Sequence, residues 1–259
     1  MTKLGNMATL SNKCNDFLIP LKSVGRIRVY TTCRAGFESV DDSYSGFSLC
    51  HYTGDRPEHF ISCRQSLADR MGIPEENLII PRQTHGCLCR VIDRTPFPEM
   101  ELDGVDGLVT SLPDVVIGVN TADCLPVVMA DEDNGVVGVA HAGWRGALGG
   151  VVQSTLEAML GSGADVGSVK VIMGPCICTE CFEVGREVAS QFPSANVVEY
   201  DKPHVDLAGY VRDRLTECGV RPENISLPGD CTRCRPELYF SARAMGVASG
   251  RNFTFAVMG

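Results

Sequence analysis

Three side chains of this sequence carry the chemistry needed to hold a soft divalent metal ion: His85, Cys124 and His141. Zinc accepts thiolate and imidazole donors, and three protein donors leave a fourth position for water or substrate. That is the pattern of a catalytic zinc, which lowers the pKa of a bound water to about 7. No short motif such as His-x-x-x-His joins the three, so the fold must bring them together. The stretch NTADCLPVVMADEDNGVVGVAHAGWRG (120–146) indicates how two of them meet. LPVVMAD and GVVGVAH are apolar runs of strand length, and the DEDNG between them has hairpin-turn chemistry. Antiparallel pairing puts Cys124, just before the first run, beside His141, at the end of the second. His85 lies in PRQTHG (81–86), a turn between two strand-like runs, where Gly86 permits close backbone approach. Taken singly, each has a plainer reading: a small hydrophobe at a strand start, or a histidine hydrogen-bonding at the surface.

Other residues near these motifs could serve the same site. HAGWRG (141–146) places Arg145 where a helix begins, and a helix N-terminus with an arginine fork binds phosphate or carboxylate. An ordinary strand-to-helix turn with a solvent-exposed arginine fits equally well. Asp123 precedes the thiol and could orient a ligand imidazole or act as a general base, but Asp is also a common turn residue. Asp103 and Asp106, in LDGVDGLVT, carry the same alternatives.

Thirteen cysteines are many for a 259-residue chain, and the number is odd. The N-terminal stretch lacks the continuous apolar core of a signal peptide, and no apolar run reaches membrane-spanning length. The expectation is a cytoplasmic, reduced protein whose cysteines serve packing, metal or catalysis rather than disulfides. Cys178-x-x-Cys181, with Cys176 beside it, and Cys231-x-x-Cys234 have the spacing of a structural zinc site; plain packing is the favoured reading. Cys87 and Cys89 share one face of a strand. A net charge of −9 argues against nucleic acid or an anionic membrane as the main partner. No protein partner can be named.

The elements that must position these groups are legible from periodicity. RIRVYTT (26–32) reads as a strand, and residues 33–47 as a long, glycine-punctuated loop. PEHFISCRQSLADRMG (57–72) reads as a helix with Phe60, Ile61, Cys63, Leu67 and Met71 on one face and Gly72 closing it. Residues 77–92 read as strand, turn, strand, followed by an acidic, proline-bearing loop. GLVT, VVIGVNT, LPVVMAD and GVVGVAHAG are strands. ALGGVVQSTLEAMLG (147–161), FEVGREVASQF and DLAGYVRDRLTECG read as helices, and SVKVIMGP and RNFTFAVMG as strands. Clustered apolar strands with hairpin-like links favour an α/β (α+β) layered single domain over a doubly wound one. Residues 1–22 read as a weakly structured lead-in to a single catalytic domain over 23–259.

QTHG (83–86), DGVDGLVT (103–110), NTADCLPV (120–127) and HAGWRG (141–146), in this order and spacing, resemble the YfiH family, also called the laccase-domain, polyphenol oxidase or purine nucleoside phosphorylase family. GPCICTECFEVGREV (174–188) and DCTRCRPELYFSARAMGVASGR (230–251) extend the resemblance to the end of the chain. The resemblance implies a central mixed sheet or sandwich flanked by helices, similar to a toxin deamidase fold. It implies one zinc at His85, Cys124 and His141, with copper as the alternative ion. It also implies phosphorolysis of adenosine, inosine and methylthioadenosine, together with adenosine deamination. Asp123, Cys124 and Arg145 are then expected to be catalytic, and Arg34, Ser48, Arg64, Gln83 and Arg145 to contact substrate or phosphate. The chain departs from the family pattern at Arg34-Ala35-Gly36-Phe37-Glu38-Ser39, at Ser48, at Cys63-Arg64 in the first helix and at Ala242-Arg243-Ala244, so the resemblance leaves substrate choice open.

Two further activities fit the same residues. Cys-His-His resembles a single-copper site and would allow laccase-like phenol oxidation. A multicopper cluster would need several His-x-His pairs, and the five histidines (51, 59, 85, 141, 204) form none. A metal-free thiol hydrolase would use Cys124 as nucleophile and His141 or His85 as base.

Overall fold

The computed structural model describes residues 16–36 and 42–259. Its strands are β1 (Leu18–Pro20), β2 (Ile27–Thr32), β3 (Leu78–Ile79), β4 (Leu88–Ile92), β5 (Val105–Thr110), β6 (Val116–Thr121), β7 (Leu125–Asp131), β8 (Val136–Ala142), β9 (Lys170–Met173), β10 (Val197–Glu199), β11 (Pro203–Val205), β12 (Ile225–Ser226) and β13 (Asn252–Met258). The α-helices are α1 (Pro57–Met71), α2 (Trp144–Gly149), α3 (Val151–Gly161), α4 (Arg186–Ala189), α5 (Leu207–Glu217) and α6 (Ala242–Met245). Five strands form one sheet, β1-β2-β13-β6-β3; six form a second, β12-β9-β7-β8-β5-β4; β10 and β11 make a small ribbon.

The two large sheets lie face to face because their central strands are apolar on both sides of the pleat. Every residue of β7 and β8 is buried. Leu125, Val127 and Met129 pack on one side, against Leu156 and Met159 of α3 and Val211 and Leu215 of α5. Val128, Ala130, Val137 and Val139 pack on the other side, against Ile117, Val119 and Ala256 of the five-stranded sheet. The outer face of that sheet presents Phe253 and Phe255, which α1 covers with Cys63 and Leu67. The layers therefore run helix, sheet, sheet, helices, a mixed α/β single domain of the expected class.

Most expected elements are present, and the differences have physical causes. The 57–72 helix spans Pro57–Met71 and ends on Gly72 in the left-handed conformation; Ile61, expected on its buried face, is exposed. The 147–161 helix is two helices that start at Trp144 and break at Gly150, whose φ of 95° no helix accommodates. Only Arg186–Ala189 of FEVGREVASQF is helical, because Glu183 bridges to His204 and Val184 hydrogen-bonds to the Pro203 carbonyl, holding that end extended. The lead-in is not wholly unstructured: Leu18–Pro20 pairs with β2, while residues 1–15 lie outside the described part. So do Phe37, Glu38 and Ser39. The two strands of 77–92 part company, β3 joining one sheet and β4 the other. The connection carrying His85 thus crosses the end of the sandwich.

The C-terminal strand is central, paired to β2 on one side and β6 on the other. Gly118 of β6 makes room for it: a Cβ there would lie 2.4 Å from Phe253 Cζ and 2.6 Å from Phe255 Cβ. Gly118→Ala is expected to destabilise the protein by about 1–3 kcal/mol through overpacking. A shift of the denaturant midpoint at constant slope checks this; an unchanged midpoint would show that the two rings yield freely.

Candidate metal centre

The hairpin turn Asp131–Gly135 sets the register that joins two of the three donors. Asp131 accepts hydrogen bonds from the Asn134 backbone and side chain, and Gly135 supplies a φ of 63°. At the far end of this seven-pair ladder, Pro126 faces His141 and Leu125 faces Ala142. Cys124 follows at once, beside the end of β8. His85 arrives from the β3–β4 connection, with its Nε2 3.8 Å from Cys124 Sγ. One donor atom from each of His85, Cys124 and His141 lies within 4.8 Å of the other two. Tetrahedral zinc at ordinary bond lengths spaces its N and S donors about 3.3–3.8 Å apart, so the trio fits such an ion. Gly143 gives an independent test of fit. A Cβ there would stand 2.7 Å from His85 Cδ2 and 3.1 Å from Cys124 Sγ, filling the space where the donors converge.

Asp106 organises the trio from beneath. It sits in β5, fully buried. Its Oδ1 accepts from His141 Nδ1 at 2.7 Å and from the His85 N–H at 3.0 Å. Its Oδ2 accepts from the N–H groups of Gly86 at 2.8 Å and Thr84 at 3.2 Å. One carboxylate therefore wraps the QTHG turn and also directs His141 to present Nε2 to the site. Backbone strain concentrates here. His85 and Asp123 have φ values of 62° and 85°, a region that costs a non-glycine residue about 1–3 kcal/mol and persists only where the surroundings enforce it.

Charge holds the trio ready. Desolvation opposes ionisation of Asp106, but His141 and the Gly86 and Thr84 amides outweigh it and keep the carboxyl below its usual range. Desolvation likewise opposes the Cys124 thiolate, yet His141 and His85 bring the thiol down to about 6. His141 is pushed up to about 9: desolvation favours the neutral ring, but Cys124 and Asp106 prevail. Each charge favours the other, so the coupling is toward a thiolate beside an imidazolium when no metal is held.

A cavity of about 470 Å³ opens over these donors, with Tyr52, Gln83, Asn120, Thr121, Arg243 and Arg251 in its wall. Gln83 lines it; its amide is fixed by the Asn120 carbonyl and N–H at 2.8 and 2.7 Å, and Tyr52 donates to its Oε1 at 3.3 Å. Asn120 Oδ1 and Thr121 Oγ1 are buried without a protein partner. Ser48 lies one contact behind the cavity, where its Oγ accepts from the Arg251 N–H at 3.0 Å.

The other expected groups do not gather here. Arg34 is buried on the carbonyls of Pro236 and Ser45 with its guanidinium over Phe240. Arg64 lines a different cavity, bonded to the carbonyls of Glu75 and Leu78. Arg145 is exposed and stacks on Trp144, which matches the ordinary strand-to-helix turn. Asp123 is at the site, but both oxygens are engaged: Thr232 donates at 2.7 Å and the Arg243 N–H at 2.6 Å. It fastens two outer loops to the Cys124 turn. The cationic side chains of the wall are Arg243 and Arg251; Arg243 donates to the Glu183 carbonyl and Arg251 to the carbonyls of Val247, Ser249 and Gly250, and among the described residues neither has a carboxylate partner. Sequence reading missed them, together with Tyr52; Asn120 and Thr121 lay in plain view within the NTADC motif.

Similarity to other proteins runs nearly end to end. The family described as multi-copper polyphenol oxidoreductase laccase matches residues 28–259. An adenosine deaminase from an unknown prokaryotic organism is 41% identical over 248 residues, covering 90% of this chain and 94% of that protein. A purine nucleoside phosphorylase of Mycobacterium tuberculosis is 34% identical over 223 residues, covering 84% and 87%. The crystal structure of the hypothetical protein YfiH from Bacillus licheniformis superposes with a TM-score of 0.87 at 22% identity, over 97% of this chain and 98% of that one, and so shares the fold.

Two outcomes follow from the electrostatics. Asp106→Asn keeps the shape but removes the charge behind His141, so zinc affinity is expected to fall about 10–100-fold; chelator competition measures it, and unchanged affinity would dismiss the orienting role. Zinc entry requires a neutral His141, so at pH 7.5 it is expected to displace about one proton. Calorimetric titration in buffers of different ionisation enthalpy reads that number, and zero would mean the ring is already neutral.

Proposed function

From the premise that this chain belongs to the multi-copper polyphenol oxidoreductase laccase family, which includes the YfiH proteins, we propose that it is a zinc-dependent purine nucleoside enzyme. It would deaminate adenosine to inosine and cleave adenosine, inosine and methylthioadenosine with phosphate. The observation that carries this reading is the convergence of His85, Cys124 and His141 at the floor of a cavity with the volume of a small-molecule site. The chemistry a zinc ion supplies when held there is Lewis acidity that readies water for attack at the purine C6. The names of the relatives, an adenosine deaminase and purine nucleoside phosphorylases, support both halves of the proposal.

The chain's own residues then have definable tasks. Asp106 holds His141 in one tautomer and fixes the turn that carries His85. Tyr52 offers an aromatic surface at the cavity wall, and desolvation holds its phenol protonated as a donor to Gln83. Gln83, locked by Asn120, keeps that wall rigid. Arg243 and Arg251 supply the positive charge that phosphate requires, in place of Arg34, Arg64 and Arg145. The reactions balance without a redox partner: adenosine and water give inosine and ammonia, and adenosine and phosphate give adenine and ribose 1-phosphate.

A multicopper oxidase lacks the donors for its cluster. His51 packs against Tyr52 and Phe60, His59 pairs with Asp55, and His204 stacks on Tyr200, all apart from the trio. The trio itself has the composition of a single-copper site, so the metal carried after growth without added copper is part of the test.

Metal-quantified protein incubated with adenosine is expected to form inosine, and with phosphate present also adenine and ribose 1-phosphate, separated by chromatography. Absence of turnover by zinc-loaded protein would reject the proposal. Cys124→Ser is expected to fold normally and to lose the metal of this centre together with activity. Arg243→Gln is expected to weaken phosphate dependence about 10-fold or more and to spare deamination; equal loss of both would move the phosphate site elsewhere.

A further inference from the structure

A second group of metal-binding side chains lies outside the cavity. Cys178 and Cys181 come from the loop after β9, and Cys231 and Cys234 from the loop before α6, about fifty residues further on. One sulfur from each lies within 4.8 Å of the other three, and Cys181 Sγ is 3.4 Å from Cys234 Sγ. Sulfurs on a tetrahedral zinc at ordinary bond lengths stand about 3.8 Å apart. We propose that these four cysteines form a structural zinc site, separate from the His85–Cys124–His141 centre.

The backbone supports this beyond sulfur proximity. Each pair has the Cys-x-x-Cys spacing, and the first is wound into a tight turn: Thr179–Cys181 is a 3-10 helix, and the Cys181 N–H donates to the Cys178 carbonyl. The Cys178 N–H donates to Cys231 Sγ at 3.3 Å, the amide-to-sulfur contact that stabilises a thiolate. A short parallel bridge between Cys176 and Cys231 holds the two loops in register, with the Thr232 N–H on the Cys176 carbonyl. Four thiolates around a dication leave a net charge of −2, and Arg233 lies against Cys181 to offset it. Burial does not account for the arrangement, because Cys234 is exposed and Cys178 and Cys231 are only partly covered. Plain core packing, the favoured sequence reading, places sulfur inside; here Cys181 is buried, and the other three cluster around it at the edge of the core.

The site staples together the two loops that hold Asp123. Ile177, one residue before Cys178, donates its N–H to the Asp123 carbonyl at 2.9 Å. Thr232, one residue after Cys231, donates to the Asp123 carboxylate. Asp123 in turn precedes Cys124. The zinc would act as a remote brace for the turn that presents Cys124.

The test is zinc stoichiometry on the full chain, grown in zinc-replete medium and purified under reducing conditions. Wild type is expected to carry two zinc ions per chain and Cys124→Ser one. Cobalt-loaded Cys124→Ser is expected to show the intense thiolate-to-metal charge transfer of a four-sulfur site. A Cys178→Ser/Cys234→Ser double variant should lose that signature and one zinc; if it fails to fold, the Cys124→Ser measurement decides alone. A folded Cys124→Ser that holds no metal, with these four thiols freely titratable or paired in disulfides, overturns the proposal. One zinc in both wild type and Cys124→Ser would uphold this site while sinking the nucleoside centre, so the two readings fail independently.

Discussion

Everything at the centre hangs on the buried carboxylate of Asp106. Its two oxygens offer about four acceptor positions, and four donors fill them: three consecutive amides of the QTHG turn and the His141 ring. A carboxylate in such a place is costly unless every lone pair is used. Here the cost is met by groups that would otherwise be loose. The turn is held with His85 in a left-handed conformation, and His141 is held in one orientation. Two of the three donor residues thus share one anchor, and their relative position varies little.

That anchor works because of where the sandwich ends. β5 and β8 belong to one sheet, while the chain carrying His85 leaves β3 of the other sheet to enter β4. The donors therefore meet where the two sheets stop facing each other and apolar packing gives way to an open cavity. The side chains behind them on the same face, Val137, Val139 and Val128, are sealed between the sheets. Rigid strands bring the donors in, and close-packed interiors keep them there. Small residues do the remaining work: Gly143 leaves room for the converging donors, and Gly86 presents its amide to Asp106.

The outer wall is made differently. Its residues come from long connections, tied to the core through the engaged carboxylate and carbonyl of Asp123 and through contacts such as Ser48 with Arg251. Binding groups carried on connections of this kind are positioned by the rigid scaffold beneath them. The donor trio therefore stands on the central sheets, while Arg243, Arg251 and Tyr52 reach the cavity wall from the connections around it.

Read alone, the chain determined the local and the periodic. The hairpin of β7 and β8, the 57–71 helix with its Gly72 stop and the burial of the central strands all follow from apolar spacing and turn residues within a few positions of one another. So does the meeting of Cys124 with His141, because a hairpin register is a local property. The tertiary structure alone decided what long-range packing controls. It assigned Asp106 its role, which no spacing distinguishes from that of Asp103. It put Arg243 and Arg251, and not Arg34, Arg64 or Arg145, in the cavity wall, because an arginine's charge is visible in a sequence but the path of the chain that carries it is not. It drew four cysteines from distant loops into one cluster, a convergence written in the path of the chain rather than in any stretch of it.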